Sequence, residues 1–479
     1  MNLILKKTAS ISSLLIILFM TSCMKKVDKE KVFISQPVFQ IGKTVQPGNI
    51  IGAIKGTILA GQSYTIVGDI TVNAGDTLLM QAGSTVCVAG QYNIIVRGVF
   101  LSLGTQASPN WITVCGNVKQ DNPTQSPSTD VAYGLNNTKN WCGICCDTTC
   151  NLLVIKWTHI EYTGAVLTSQ PVAALSTGAA AYSIFFNNAN GIFVLEDSWL
   201  YGCVDDAVRI EGGGKIQLMR NTLEKCGYTG GDLFNAKNGT VGNMAYNLII
   251  GGNTNGTKAS NKGGSAAETN VRMYNNTYVN CGYRRSTAGR GGSIDYEQQA
   301  EGMAYNNLIV NCKYGLRVVL SPAPDTANLF YGNTFYYGDS LSVTDQFYPT
   351  TYLTKPEPTD IPNPSTYLPN PYALGEVYNG ASLIAQNNPM FVNYPLPQPI
   401  PVPFAAISYV GTPNYNSPNS NNNPYNFRLQ STSPCIGKGY TGFSPLQVVP
   451  VSANFGATAI TPPSADIGAY PSSGVGNQH

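Results

Sequence analysis

The sequence is poor in charge and has almost no histidine. Charged residues make up 11% of the 479 residues, and the formal net charge is +2. A nucleic-acid partner requires a basic face, so this balance excludes nucleic acid from the expected partners. The two histidines are His159 and His479, which leaves a histidine-dependent reaction almost nothing to use.

The sequence also lacks helical periodicity and a long apolar run. The apolar run from Ile11 to Met20 is too short for a membrane span of ~20 residues. Lys6 and Lys7 precede it and Thr21-Ser22-Cys23 follow it, which is the layout of an export signal. The small residues before Cys23 resemble a lipobox, which implies cleavage before Cys23 and acylation of its thiol. Two or three acyl chains hold a protein on a membrane.

The start of the chain therefore predicts a lipoprotein signal peptide over residues 1–22 and a lipidated tether over 23–43. We expect the lipid on Cys23 to anchor the protein in the outer membrane. The sequence leaves open whether the protein faces the periplasm or the cell surface.

The rest of the composition is typical of β structure. The chain has 49 Gly and 28 Tyr. From Ile50 it consists of β runs of four to six residues that Gly-containing turns separate, with no room for a crossover helix. This pattern predicts either a sandwich or a coiled solenoid.

An internal repeat favours the solenoid. Six eight-residue segments align without gaps, and their third positions are Ser198, Asn221, Asn247, Asn276, Asn307 and Asn333. These positions lie 23, 26, 29, 31 and 26 residues apart, which suits one turn of a three-strand β-helix. The eighth positions are small residues, namely Cys203, Cys226, Gly252, Cys281, Cys312 and Gly338. Stacked turns would place the Asn side chains in an amide ladder and the small residues in a second column.

Several motifs resemble a bacterial family of pectin-lyase-like right-handed parallel β-helix lipoproteins. They are "DITVNAGDTLLMQAGSTVCV" and "NWCGICCDTTCNLLVIKWTHIEYTGA", followed by the closing segments "NNPMFVNY", "FRLQSTSPCIGKG" and "ADIGAYP". The resemblance implies an all-β chain, with a right-handed parallel β-helix of about ten turns over residues 44–345. Pro/Asn-rich loops and the closing segment of the helix would occupy 346–479. This fold supports lyases, hydrolases and adhesins, so the resemblance implies no single activity.

The segment "CGICCDTTC" has a spacing loosely like that of a zinc site, through Cys142, Cys145, Cys146 and Cys150. Adjacent residues on a strand point to opposite faces, so Cys145 and Cys146 would not easily share one ion. We therefore predict buried free thiols or a local disulfide here, and no metal.

The segment "GCVDDAVRIEGG" places Asp205 and Asp206 before Arg209 and Glu211. It resembles the Asp-Asp turn of β-helix glycosidases such as polygalacturonases, in which paired carboxylates act as general acid and base. The Gly-His-Gly and Arg-Ile-Lys segments of those enzymes are missing. The alternatives are a turn-capping role for the Asp pair and the binding of a cation or a sugar.

A second group of charges lies in the insertion "YRRSTAGRGGSIDYEQQAEG". It contains Arg284, Arg285, Arg290, Asp295, Glu297 and Glu301. In pectate-lyase-like enzymes carboxylates hold calcium against an acidic sugar, while Lys or Arg removes a proton. The spacing here matches no lyase motif, and a recognition surface or a solvated loop are the alternatives.

The catalytic candidates are thus Asp205, Asp206, Arg290 and Asp295, and the binding candidates are Arg284, Arg285, Arg290, Asp295 and Glu297. The leading hypothesis is a non-catalytic outer-membrane lipoprotein that presents a surface to a glycan or to an outer-membrane protein complex. The alternatives are a polysaccharide lyase or glycoside hydrolase that acts on acidic polysaccharide, and a purely structural surface protein. No cofactor is expected, except calcium if the lyase alternative holds.

Overall fold

A computed structural model describes residues 42–116, 140–228, 230–262, 266–283, 285, 287–369, 371–372, 380–397, 425–451 and 459–479. The predicted signal peptide, Cys23 and the tether up to residue 41 lie outside the described residues. Within the described part of the chain, no helix has both the length and the apolar character needed to cross a membrane.

The described residues are organised almost entirely as short strands. The first fifteen are β1 (Gly48–Ala53), β2 (Gly56–Ile58), β3 (Ser63–Val72), β4 (Thr77–Met80), β5 (Thr85–Val88), β6 (Asn93–Val96), β7 (Val99–Leu103), β8 (Asn110–Val114), β9 (Gly143–Cys146), β10 (Leu152–Lys156), β11 (Thr158–Thr163), β12 (Ile184–Phe186), β13 (Ile192–Glu196), β14 (Trp199–Cys203) and β15 (Val208–Ile210). The others are β16 (Gly214–Met219), β17 (Thr222–Cys226), β18 (Phe234–Lys237), β19 (Thr240–Ala245), β20 (Leu248–Ile250), β21 (Asn255–Ser260), β22 (Asn270–Tyr274), β23 (Thr277–Val279), β24 (Gly292–Glu297), β25 (Glu301–Tyr305), β26 (Leu308–Val310), β27 (Arg317–Val318), β28 (Leu329–Gly332), β29 (Phe335–Tyr337), β30 (Phe391–Asn393) and β31 (Asn426–Leu429). Among the described residues, helical structure is limited to α1 (Leu341–Thr344) and the 3-10 turns Thr326–Asn328, Pro364–Thr366 and Gly380–Leu383.

The strands pair in parallel across successive repeats. One sheet contains ten strands in the order β2-β4-β7-β10-β13-β16-β19-β22-β25-β28. A larger sheet of nineteen strands contains the second and third strands of each repeat, in separate series such as β14–β17–β20–β23 and β15–β18–β21–β24. We call these the first-, second- and third-position strands. The prediction of an all-β chain built from parallel strands is confirmed, and β30 with β31 is an antiparallel pair outside the stack.

Apolar side chains of successive strands stack inside the repeats. In the first-position strands, Ile155 pairs with Leu195, Leu195 with Leu218, and Leu218 with Met244. All four belong to one buried cluster and are fully buried. Full burial of such a side chain contributes about 1.5–3 kcal/mol, so the stacking of equivalent positions is the main source of cohesion between repeats.

The predicted Asn ladder is present and buried. The Oδ1 atoms of Asn221, Asn247, Asn276 and Asn307 each accept a hydrogen bond at 3.0 Å from the backbone N–H of the residue one repeat earlier. Each Nδ2 donates to a backbone carbonyl oxygen of an earlier strand at 2.8–3.0 Å. The ladder therefore satisfies backbone groups at the bend between the first- and second-position strands.

The prediction for the last member of the Asn column, Asn333, was wrong by one residue. Strand register pairs Tyr305 with Gly332 and Leu308 with Phe335, so Thr334 rather than Asn333 follows Asn307. Asn333 has φ +49° and aligns with Asn306, at φ +60°. By the same register Gly338 follows Asn311 rather than Cys312, so the last member predicted for the small-residue column was also wrong by one residue. The backbone N–H of Thr334 donates to Asp360 Oδ1 at 2.8 Å, so Asp360 takes the place of the next Asn.

Because Asp360 stands where the ladder would otherwise continue with an Asn, we expect its contribution to stability to depend on pH. Burial raises the pKa of Asp360 to about 7 from 3.8, so its stabilising contribution is present at acidic pH and lost as pH rises through about 7. Asn at this position keeps the acceptor for Thr334 and offers a donor to the hydroxyl oxygen of Tyr348, which now donates to Asp360. We expect Asp360→Asn to stabilise the protein by about 2 kcal/mol at about pH 8 and much less at about pH 4.

Thermal unfolding at several pH values checks this expectation. Asp76→Asn is the control, because Asp76 forms an exposed ion pair with Lys55. A gain in stability that does not grow with pH, or a loss at pH 8, would show that the carboxyl is not held neutral by burial.

The C-terminal segment, whose described residues are 380–397, 425–451 and 459–479, packs on the outer faces of first- and second-position strands. Leu446, Val448 and Val449 pack on outward residues of the first sheet such as Val154 and Val194. Asn243 exchanges hydrogen bonds of 2.8 and 3.0 Å with the backbone of Leu446. On the second-position strands, a further apolar cluster joins Phe391, Phe427 and Ile467 to the outward side chains Leu248, Leu308 and Phe335.

Both histidines belong to one aromatic stack on the second-position strands. Ring centroids lie 3.6 Å apart for Trp111 and His159, 4.1 Å for His159 and Trp199, and 3.8 Å for Trp199 and His479. Burial lowers the pKa of His479, and its Nδ1 lies 2.9 Å from the hydroxyl of Thr222. The histidines thus contribute packing to the fold.

Candidate functional site

The outward face of the third-position strands changes character along the stack. The outward residues that follow one another in register are Ile95, Cys145, Phe185, Arg209, Asn235, Lys258, Asp295 and Arg317. The first three are apolar, and residues of the segment 165–181 pack over them. From Arg209 onward the column is polar and charged.

We call this polar part the polar strip. It consists of Arg209, Asn235, Lys258, Asp295 and Arg317, together with Glu211, Lys237, Ser260 and Glu297, which lie two residues further along their strands. Residues two apart on a strand share a face, so both columns belong to the outer surface of the sheet.

One end of the strip is formed by the Arg209–Glu211 pair. Arg209 Nε lies 2.6 Å from Glu211 Oε2, and the two side chains are 23% and 29% exposed. Arg209 also donates to the hydroxyl of Tyr182 at 3.0 Å and lies over its ring. Lys237 Nζ is 3.5 Å from Glu211. Despite partial burial, the cations Arg209 and Lys237 lower the pKa of Glu211.

A second ion pair lies two repeats further on. Lys258 Nζ is 2.6 Å from Glu297 Oε1 and 3.9 Å from Asp295 Oδ2. The side chains of Lys258 and Glu297 are 10% and 9% exposed. Burial raises the pKa of Glu297, but the charges of Lys258 and Arg290 outweigh it and the net shift is downward.

The other end of the strip is buried. Arg317 Nη2 lies 2.8 Å from Asp295 Oδ2 and donates to Asn255 Oδ1 at 2.8 Å. Arg317 Nη1 donates to the carbonyl of Gly289 at 2.9 Å and to the hydroxyl of Tyr352 at 3.0 Å. Burial raises the pKa of Asp295, although Arg317 and Lys258 oppose that shift. At 2% and 1% exposure, Arg317 and Asp295 offer a ligand no contact of their own.

Asp205 and Asp206, the acidic pair identified in the sequence, lie beside the strip. Asp206 has the contacts of a residue that caps a turn. Its Oδ1 accepts from the backbone N–H of Asp232 at 2.7 Å, and its Oδ2 accepts from Asn235 Nδ2 at 2.8 Å. Burial, with the nearby charges of Asp232 and Asp205, raises the pKa of Asp206 to about 7. Asp205 is half-buried, and burial also raises its pKa.

The structure therefore brings together two groups of residues that the sequence analysis treated separately. Asp206, Asp295 and Glu297 lie on or beside one strip. Arg290 is exposed near Glu297. Arg285 is half-buried, and its carbonyl accepts from Lys313 Nζ at 2.7 Å. Arg284 lies outside the described residues.

Sequence reasoning missed five members of the strip, Asn235, Lys237, Lys258, Ser260 and Arg317, and also the neighbouring Tyr182. The available signal was a pair of polar or charged residues two positions apart in most of these repeats, as in Arg209 and Glu211 or Asp295 and Glu297. The third-position strands are as short as two or three residues, so this periodicity was hard to see.

Glu301 lies away from the strip. One carboxylate oxygen from each of Glu268, Glu301 and Asp325 lies within 4.8 Å of the others. Glu301 Oε1 also accepts from Asn270 Nδ2 at 3.0 Å, and Asp325 accepts from the backbone N–H of Ala327 at 3.1 Å.

The cysteines follow the strand geometry that was predicted for them. Cys142, Cys145, Cys146 and Cys150 are buried free thiols. Cys146 lies in the core cluster, whereas Cys145 packs on the outer side under the segment 165–181. Cys203, Cys226, Cys281 and Cys312 are also buried thiols, and a disulfide joins Cys87 to Cys115.

The chain is thus an all-β protein with parallel sheets whose third-position strands present a polar strip. No family model, no curated protein and no solved structure matches the chain.

Proposed function

We propose that the protein is a right-handed parallel β-helix that is exported, anchored through lipid on Cys23 in the outer membrane, and binds glycans along the polar strip. The parallel pairing of equivalent strands in successive repeats supports the β-helix. The apolar run before Cys23 supports export and acylation.

The observation that carries the binding role is the change in the outward column at Arg209. A sheet face that served only packing would continue the apolar series of Ile95, Cys145 and Phe185, because ion pairs held out of water contribute little net stability. Arg209 and Glu211, whose side chains are 23% and 29% exposed, are the members of the strip that a ligand can reach, and their charged groups suit the hydroxyl groups of a sugar.

The contacts of Asp206 favour binding over hydrolysis. Glycoside hydrolysis needs one carboxyl to protonate the leaving group and a second to act as base or nucleophile. Both oxygens of Asp206 already accept hydrogen bonds from the neighbouring repeat. A structural role in the turn explains both hydrogen bonds of Asp206, so they require no catalytic role for this residue.

Affinity gel electrophoresis of the protein without residues 1–23, with a panel of neutral and uronic polysaccharides, tests the proposal. We expect retardation by at least one polysaccharide, and we expect Arg209→Ala to weaken that binding about 10-fold, or about 1.4 kcal/mol. Arg97→Ala is the matched control, because Arg97 is also a partly exposed arginine, 3.4 Å from Asp147, but lies outside the strip.

Equal loss of binding in both variants, or no retardation by any polysaccharide, would contradict a glycan site at the strip. Reducing ends are measured in parallel. Product that disappears on replacement of Asp206 would make the protein a polysaccharide-degrading enzyme instead.

A further inference from the structure

We infer that the glycan bound along the polar strip is acidic, and that a cluster of cations beside the buried end of the strip binds its carboxylate or sulfate groups. The inference rests on the proposed function and names the chemical class of the ligand. It comes from the surroundings of Lys313, a cation that the fold holds in place with a backbone carbonyl, and with no carboxylate of the described residues, as its partner.

We call this cluster the basic corner, and it consists of Arg285, Arg290, Lys313 and Tyr314. Lys313 and Tyr314 lie in the turn between β26 and β27, and the two arginines lie in the loop before β24. Arg290 is exposed, whereas Arg285, Lys313 and Tyr314 are half-buried. The corner is therefore open to a ligand, unlike the neighbouring Arg317, which is 2% exposed.

Hydrogen bonds and ring contacts join the corner to the strip. Lys313 Nζ donates to the carbonyl oxygen of Arg285 at 2.7 Å and lies 5.5 Å from the centre of the Tyr314 ring. The guanidinium of Arg317 lies 6.0 Å from the same ring, and its Nη1 donates to the carbonyl oxygen of Gly289 at 2.9 Å. Both loops of the corner are thus held against the end of the strip, so its cations are in place before a ligand binds.

The charge of Lys313 is not balanced within the described part of the chain. Burial lowers the pKa of Lys313, and the positive charges of Arg317 and Arg285 lower it further. Both strip carboxylates at this end, Asp295 and Glu297, form ion pairs within the strip. An ammonium has three donors, and the carbonyl of Arg285 takes one of them. An anionic group at the corner therefore gains a charge-assisted hydrogen bond without displacing a carboxylate of the protein.

The position of the corner favours an acidic glycan. Arg317, beside the corner, follows Arg209 by four steps of strand register, which correspond to roughly 19 Å. An extended glycan can span this distance, with hydroxyl groups on the exposed ion pair of Arg209 and an anionic group at the corner. The half-buried ring of Tyr314 offers an apolar face to a sugar ring beside that group.

Binding of dextran, dextran sulfate and polygalacturonate to the protein without residues 1–23, at about 50 mM and about 500 mM NaCl, tests the inference. Dextran and dextran sulfate share one sugar chain and differ in charge, and polygalacturonate carries carboxylates in place of sulfates. We expect at least one acidic polymer to bind about 10-fold more tightly than dextran at the lower salt concentration, and to lose most of that advantage at the higher one. Equal or tighter binding of dextran would overturn the inference and leave the proposed function intact. Failure of all polymers to bind, here and in the affinity gels, would instead reject the proposed function.

Replacement of Lys313 separates binding at the corner from a general attraction of polyanions. Lys313→Gln removes the charge and keeps a donor for the carbonyl of Arg285, so we expect acidic-polymer affinity to fall about 5-fold at about 50 mM NaCl, whereas Lys313→Arg stays close to the unmodified protein. Lys215→Gln is the matched control, because Lys215 on β16 is also half-buried and its Nζ also donates to a backbone carbonyl, that of Ala189, at 2.7 Å. Thermal unfolding verifies that the variants fold. Equal losses of affinity in Lys313→Gln and Lys215→Gln, or no loss in either, would contradict the inference.

Discussion

Replacement of Asn276 with alanine is expected to destabilise the protein by about 3 kcal/mol or more. Asn276 Oδ1 accepts from the backbone N–H and the Nδ2 of Asn247, both at 3.0 Å. Its Nδ2 donates to the carbonyl of Met244 at 3.0 Å and to Asn307 Oδ1 at 3.1 Å. Alanine leaves these buried groups without a partner, and each unsatisfied group costs about 1–3 kcal/mol. Urea unfolding measures the loss.

Asn190→Ala is the matched control for this experiment, because Asn190 is exposed and outside the ladder. Its effect should stay within about 0.5 kcal/mol. If Asn276→Ala were as mild as Asn190→Ala, the ladder would be a by-product of stacking and would not hold the repeats together.

Removal of Arg317 should have a comparable effect for an electrostatic reason. At neutral pH we expect Arg317→Ala to cost about 3–5 kcal/mol, because Asp295 is then left buried with Lys258, 3.9 Å away, as its remaining close cation. Arg97→Ala breaks an exposed pair with Asp147 and should cost less than about 1 kcal/mol. Chemical denaturation of both variants gives the comparison.

The Arg317 variant also has a pH signature. Burial already raises the pKa of Asp295 in the folded protein, and loss of Arg317 removes the largest opposing charge. A carboxyl with a raised folded pKa favours the folded state at acidic pH, and this contribution disappears as pH rises through that pKa. The deficit relative to the unmodified protein should therefore be smaller at about pH 5 than at about pH 8. A deficit that is constant with pH would indicate lost packing rather than an unpaired charge.

The ladder and the small-residue column could be predicted from the sequence because each reflects one residue type at one position of the repeat. The slip at Asn333 shows the limit of that reasoning. The sequence repeat matched Tyr331-Gly332-Asn333 to Tyr305-Asn306-Asn307 by residue type. Strand pairing instead aligns Gly332 with Tyr305. Register follows backbone hydrogen bonds and core side chains, so a similar short motif can shift by one residue.

The polar strip could not be predicted in the same way. Its members come from β15, β18, β21, β24 and β27, which loops of different length separate from the preceding strands. Asp206 and Asp295 were recognised as unusual acids, but their common face depends on the register of three intervening pairings. The cover that the C-terminal segment forms over the first two strand positions was also unforeseen. Its contacts, such as Leu446 with Asn243, join residues far apart in sequence and follow no period.

Carboxyl footprinting in the presence of a bound glycan tests the central claim most directly. Carbodiimide coupling of an amine, read by mass spectrometry, reports the accessibility of individual carboxylates such as Glu211, which is 29% exposed, and Glu357, a partly exposed carboxylate outside the strip. The account predicts that the retarding polysaccharide protects Glu211 and leaves Glu357 unchanged. Protection of Glu357 with Glu211 unchanged would place the glycan elsewhere and contradict the role given to the polar strip.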